Sequence, residues 1–154
     1  AENTTLPDVG RVARWGALDR AAERRIAETQ AARLHVKTPT VLAKVVGLSG
    51  GNQQKVVLAK WLAMQPRVLI LDEPTRGIDV AAKAEIYQEI AGLAARGIAV
   101  LLVSSELEEI IGLCDRVIVM RDAKVAGTVA REHVTQEHLA ALMTSRAEGP
   151  SHAA

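Results

Sequence analysis

The sequence predicts an α/β domain with a mainly parallel sheet and a helical unit at its N-terminus. Three observations carry that reading. Two short apolar runs, Val68–Leu71 and Ile98–Val103, have the length and branched composition of strands buried on both faces. The stretch between them, Val80–Arg96, reads as a helix stopped by Gly97. The first third carries helical periodicity without a strand signal. Strand, helix, strand is the order a parallel sheet needs, because a parallel neighbour is reached only by a crossover.

The elements follow in order along the chain. Residues 1–10 are polar, contain Pro7, and read as a lead-in segment. Asp19–Val36, with apolar Ala22, Ile26 and Leu34 among Ala, Arg and Glu, reads as an amphipathic helix broken by Lys37-Thr-Pro39. A second helix is expected over Gly50–Met64, ending before Pro66. After the two apolar strands and their helix come a short helix at Glu106–Leu113 and a strand at Arg116–Met120. Lys124–Val129 is placed as the hairpin partner of that strand, through Arg121-Asp-Ala. Thr135–Met143 closes the fold as a helix, with Thr135 as its N-cap and Glu137 in its first turn. The tail from Arg146 onward lacks periodicity and is expected to fray. The expected organisation is a partial helical subdomain over 1–47, a motif-bearing core over 48–145, and the tail over 146–154.

Composition narrows the function classes. The 154 residues carry 19 Lys and Arg against 18 Asp and Glu, a formal net charge of +1. That balance leaves no basic footprint for nucleic acid, so no nucleic-acid partner is expected. The single cysteine, Cys114, forms no internal disulfide framework. The longest apolar run, Ile98–Val103, falls far short of the roughly 20 residues that span a bilayer. No charged-then-apolar segment opens the chain, so no secretory signal is expected. His35, His133, His138 and His152 show no metal-ligand spacing with Cys114 or with carboxylates. Trp15, Trp61 and Cys114 are expected to pack in the core.

Two stretches carry chemistry. In Arg67-Val-Leu-Ile-Leu-Asp-Glu-Pro-Thr75, four apolar residues run into two carboxylates at the C-terminal end of a strand. Ligands of open α/β sheets bind at such strand ends. Neighbouring strand side chains point to opposite faces, so the pair can divide two tasks. One carboxylate, Asp72, can hold Mg²⁺ through its water shell. The other, Glu73, can orient and polarise an attacking water. The second stretch, Leu48-Ser-Gly-Gly-Asn-Gln-Gln-Lys55, stands just before a helix. Ser49 is placed as its N-cap, and Gly50 and Gly51 leave backbone N–H groups open to an anion at the positive end of the helix dipole.

These residues resemble the ATPase subunit of an ATP-binding-cassette (ABC) transporter, over about Asn3 to Ser145. Leu48–Gln54 is similar to the family's signature motif. Val68–Glu73 is similar to its Walker B strand, with Glu73 in the general-base position, and Gly77-Ile-Asp79 is similar to the following D-loop. The wording is close to the second ATPase domain of bacterial monosaccharide importers. The resemblance implies part of a P-loop NTPase fold and a role in powering sugar import with ATP and Mg²⁺. It implies that Ser49, Gly50, Gly51, Gln53 and Asp79 are nucleotide-facing, that Asp72 serves the metal, and that Glu73 and Ser105 serve catalysis. It implies as partners a second ATPase domain, fused or dimeric, transmembrane permease subunits, and indirectly a periplasmic or extracellular sugar-binding protein. The location it implies is peripheral, on the cytoplasmic face of the bacterial membrane.

Two positions depart from the family pattern. Where the family usually has a γ-phosphate-contacting histidine, this chain has Ser105, which reads either as a strand-end or helix cap or as the mark of a slower site. Before the D-loop glycine stands Arg76, expected to be solvated or to face the other ATPase domain. A larger difference is an absence. None of the 11 glycines precedes a lysine, so no G-x-x-x-x-G-K-[ST] phosphate loop lies within these residues. The chain is therefore expected to be the C-terminal part of a longer ATPase, inactive alone. An inactive remnant, a nucleoside importer and a non-transport ABC protein are the other readings of the same motifs.

Overall fold

The computed structural model describes residues 1–14 and 16–144. Trp15 and the tail over 146–154 lie outside the described residues, so the expectations placed on them have no structural counterpart. The described chain falls into two compact units, divided between Val103 and Ser104.

The first unit opens with a one-turn helix, α1 (Glu2–Thr5), and a 3-10 segment, Leu6–Arg11, where the sequence suggested only a lead-in. A two-residue hairpin of β1 (Ala13–Arg14) and β2 (Ala17–Leu18) follows, too short to leave a periodic signal. Helix α2 spans Arg20–Arg33, and the Asp19 carboxylate accepts the Ala22 N–H at 2.9 Å as its N-cap. It ends earlier than Lys37-Thr-Pro39 suggested. His35 turns left-handed at φ 50°, its N–H donates to Ala32 O, and the Val36 N–H donates to Ala31 O. That pair of bonds is a Schellman motif with histidine in the glycine position.

Helix α3 (Gly50–Leu62) buries Gly51, Lys55, Leu58, Ala59 and Leu62 along one face. Trp61 lies off that stripe and is exposed, with Lys60 Nζ 5.0 Å from its ring centroid, so it is not the core residue the sequence suggested. Strand β3 (Val68–Asp72) leads through a turn to α4 (Val80–Ala95), which ends in a second Schellman motif at Gly97, φ 85°. Strand β4 (Ala99–Val103) then pairs parallel with β3, Val68 opposite Ala99 and Asp72 opposite Val103. Leu34, Leu58, Leu62, Ile86 and Leu93 form the innermost core of this unit.

The β3–β4 pair is not buried on both faces. Leu69 and Leu71 point into the core, while Val68 is 60% and Ile70 66% exposed. On the paired strand Leu101 and Val103 are likewise exposed. Strand composition reports what a face is built to meet, and among the described residues that face stays open.

The second unit holds α5 (Leu107–Leu113), the antiparallel pair β5 (Arg116–Arg121) and β6 (Lys124–Ala130), and α6 (Gln136–Thr144). Asp122 and Ala123 both take positive φ, 51° and 58°, so the two-residue link is the left-handed turn a tight hairpin requires. Thr135 Oγ1 accepts the His138 N–H at 3.2 Å, the expected N-cap of α6. Among the described residues the sheet content is one parallel and two antiparallel pairs.

Candidate functional site

Both motif regions belong to the first unit, and each is shaped by a short network. Leu48 and Ser49 are extended, and α3 begins at Gly50. Ser49 occupies the N-cap position, yet its hydroxyl makes no capping bond. It accepts instead from Asn52 Nδ2 at 2.8 Å. Asn52 is oriented by Lys37, whose backbone N–H donates to Asn52 Oδ1 at 2.7 Å. A backbone N–H can only donate, so it sets the amide with its NH₂ toward Ser49. The Ser49 oxygen is then used as an acceptor, and its own proton can be donated outward. Gln53 Nε2 donates to Leu48 O at 2.8 Å, bracing the extended residues against the helix. The N–H groups of Gly50, Gly51 and Asn52 head a helix and have no intrahelical acceptors. This end of α3 therefore presents a hydroxyl and backbone N–H donors at the positive end of the helix dipole, a set suited to an anion.

The carboxylates stand at the C-terminal end of β3. Asp72 is its last residue and is exposed, on the same face as Val68 and Ile70. Glu73 leaves the strand. Its N–H donates to Val103 O at 2.8 Å, and its φ of 46° is left-handed. For a residue with a Cβ this conformation is sparsely populated and costs on the order of 1–3 kcal/mol. The two carboxylates are thus separated by a backbone reversal rather than by strand alternation alone. A tight turn follows. Arg76 N–H donates to Glu73 O at 3.2 Å, Thr75 is buried, and Gly77 takes φ 77°. Arg76 is exposed. Asp79 is occupied as the N-cap of α4, accepting the Ala82 N–H at 2.9 Å.

An ion pair between buried Lys55 and exposed Glu85 ties α3 to α4. Lys55 is 3% exposed, and its ammonium lies 3.0 Å from Glu85 Oε2 and 3.4 Å from His35 O. A buried ammonium without such partners would be costly. Lys55 foremost, and Lys37 after it, hold the Glu85 carboxyl below its ordinary range. Sequence reading missed this pair, since nothing in the local pattern separates a buried lysine from a solvated one.

Ser105 belongs to the second unit. It is exposed, and the turn into α5 is closed by its neighbour, whose Oγ accepts the Glu106 N–H at 3.0 Å. Cys114 is half-buried, and burial, then Glu109 and Asp115, push its thiol above the ordinary 9.0, which suits packing rather than nucleophilic chemistry. His138 Nδ1 meets His133 O at 3.1 Å. Among the described residues no three His, Cys, Asp or Glu side chains converge on a metal position.

A cavity of the first unit, about 1000 Å³, lies elsewhere, lined by Ala27, Ala31, Val36, Val41, Val45 and Val56 among others. Of the motif residues only Leu48 reaches it.

Comparison with known proteins gives a consistent result. Residues 2–76 match the family model described as ABC transporter. The chain is 49% identical over 143 residues to the xylose import ATP-binding protein of Geobacillus kaustophilus, covering 93% of this chain and 28% of that protein. It is 53% identical over 150 residues to a ribose import ATP-binding protein of Rubrobacter xylanophilus, covering 97% and 29%. It is 50% identical over 146 residues to the L-arabinose transport ATP-binding protein of Geobacillus stearothermophilus, covering 95% and 28%. The chain thus spans less than a third of the length of these relatives. Among solved structures, an ATP-binding cassette in a dimeric post-hydrolysis state with ADP and Pi superposes at a TM-score of 0.70, with 26% identity over 84% of this chain and 55% of that one.

Proposed function

Since this chain belongs to the ABC transporter ATPase family, we propose that it is the signature and Walker B portion of an ATPase that drives sugar import. The observation that carries the reading is the end of β3, where Asp72 stays on the strand and Glu73 is turned away from it by a left-handed residue bonded to Val103 O. Keeping a glutamate in that conformation is costly, and the cost has a purpose if its carboxylate must face a reacting water.

The two motif regions serve different ATP molecules. Ser49, Gly50, Gly51 and Gln53 face the γ-phosphate of an ATP held by a partner ATPase domain, with Asp79 beside that contact. Asp72, Glu73 and Ser105 serve the ATP of their own domain. Mg²⁺ suits Asp72, because that ion keeps several waters and takes one carboxylate plus phosphate oxygens. When bound it neutralises charge on the phosphates. Glu73 accepts the proton of the attacking water as its oxygen bonds to the γ-phosphorus and the bond to the ADP oxygen breaks, giving ADP and inorganic phosphate. Ser105 can donate one hydrogen bond to the γ-phosphate but adds no positive charge. Opening and closing of paired domains would move attached permease subunits. The protein would then sit peripherally on the cytoplasmic face of the membrane, and no described helix is long and apolar enough to cross it. A sugar-binding protein outside the membrane takes part only indirectly.

The sugar itself is chosen elsewhere. The relatives named for xylose, ribose and arabinose are 49%, 53% and 50% identical to this chain. Three sugars at one level of similarity support the reading that the choice of sugar rests with other subunits.

The uncovered face of β3–β4, with Asp72 at its end, supports the reading that a phosphate-binding portion must be supplied from outside these residues. A parallel pair ordinarily has both faces covered. Titration of the purified 154-residue chain with MgATP tests this, with no binding expected at micromolar concentration. Micromolar affinity would contradict it.

A further inference from the structure

Gly51 owes its identity to a neighbour. Its φ is not positive, so the backbone conformation does not call for glycine. A methyl placed on it would stand 2.6 Å from Ala82 Cβ and 3.7 Å from Ala82 Cα. One placed on Gly50 would stand 3.3 Å from Ile78 Cγ2. The start of α3 is thus pressed onto the first turn of α4. One turn further along, Lys55 and Glu85 join the same two helices. Two attachments a turn apart fix α3 against both sliding and rotation. Ala82 is itself held by the Asp79 carboxylate, nine residues or fewer from Glu73 along the chain.

We propose that Ala82, together with Ile78, is a positioning residue for ATP hydrolysis at the partner domain's site. Its small side chain sets how closely α3 seats on α4, and so where the Ser49 hydroxyl and the N–H groups of Gly50 and Gly51 stand. This role presupposes the ATPase reading given above. Ala82 touches no nucleotide in it. It acts only through Gly51.

A size-exchange cycle tests the role. Gly51→Ala, Ala82→Gly and the double variant are compared in the assembled ATPase for kcat and KM, and in the 154-residue chain for thermal midpoint. Gly51→Ala should lower the midpoint, although alanine is the better helix former. In the assembled enzyme it should lower kcat about 100-fold, with KM for ATP within about threefold, as a misplaced group acting mainly in the transition state does. Ala82→Gly alone should cost less than Gly51→Ala. Adding Ala82→Gly to Gly51→Ala should restore the midpoint and most of kcat, because the methyl then has room. A double variant as slow as Gly51→Ala would overturn the proposal, placing the need for glycine at the ligand instead. So would a Gly51→Ala chain that melts no lower than the original. An unsubstituted assembly without any ATPase activity would defeat the ATPase reading, and the positioning role with it, whatever the melting cycle showed.

Discussion

The backbone N–H of Glu73 donates to the carbonyl of Val103 at 2.8 Å, one residue beyond the last paired position of β3. This bond keeps the end of β4 attached to the first residue of the turn after β3. Glu73 then turns left-handed, and the next bonds, Arg76 N–H to Glu73 O and Ile78 N–H to Thr75 O, close the chain into the N-cap of α4. The carboxylate proposed to act on water therefore hangs from a backbone fixed on both sides.

Polar substitution of the open sheet face should improve the behaviour of the chain in isolation. Val68→Thr with Ile70→Thr removes two apolar side chains that are 60% and 66% exposed. Size-exclusion chromatography should show less self-association, since exposed apolar faces and open strand edges drive it. The urea unfolding free energy should stay within about 0.5 kcal/mol, as for surface positions generally. A large loss of stability would mean that this face is packed after all.

Acid should weaken the first unit through two carboxylates. The Arg20 guanidinium, 3.0 Å away, foremost holds the buried Glu23 carboxyl below its ordinary 4.5. The Thr5 hydroxyl adds a second bond, while burial opposes both. Lys55 does the same for Glu85. A carboxyl held lower in the folded chain than in the unfolded one stabilises the fold above its unfolded value. That contribution is lost as pH falls through the folded value. Urea midpoints measured stepwise from neutrality to about pH 3 should fall below about pH 4.5. They should fall less in Glu23→Gln, which starts lower at neutral pH. An identical acid slope in the variant would remove Glu23 from the account.

Local features were legible in the sequence, and features set by distant surroundings were not. The cap at Thr135 depends on a side chain and an N–H three residues on. The stop at Gly97 and the β5–β6 hairpin are likewise local. The polar motifs could be read because adjacent carboxylates after an apolar run, and glycines before a helix, carry their chemistry in their order. The hydroxyl of Ser49 does not make the capping bond its position suggests, because its partner is Asn52, which is in turn set by Lys37. Trp61 is exposed although its type suits a core, because an apolar side chain gives no sign of which helix face is covered. The strand Val68–Leu71 reads as buried on both faces because its residues suit that surrounding. In the described residues the core meets only the Leu69 and Leu71 side of that strand, and Val68 and Ile70 stay exposed.

The most direct test of the central claim is the rate of ATP hydrolysis by the assembled ATPase carrying Glu73→Gln, which keeps the size and hydrogen bonding of the side chain and removes its basicity. The account predicts a fall of about 100-fold or more, with ATP retained at the site that this Glu73 serves. Hydrolysis at the unsubstituted rate would contradict it.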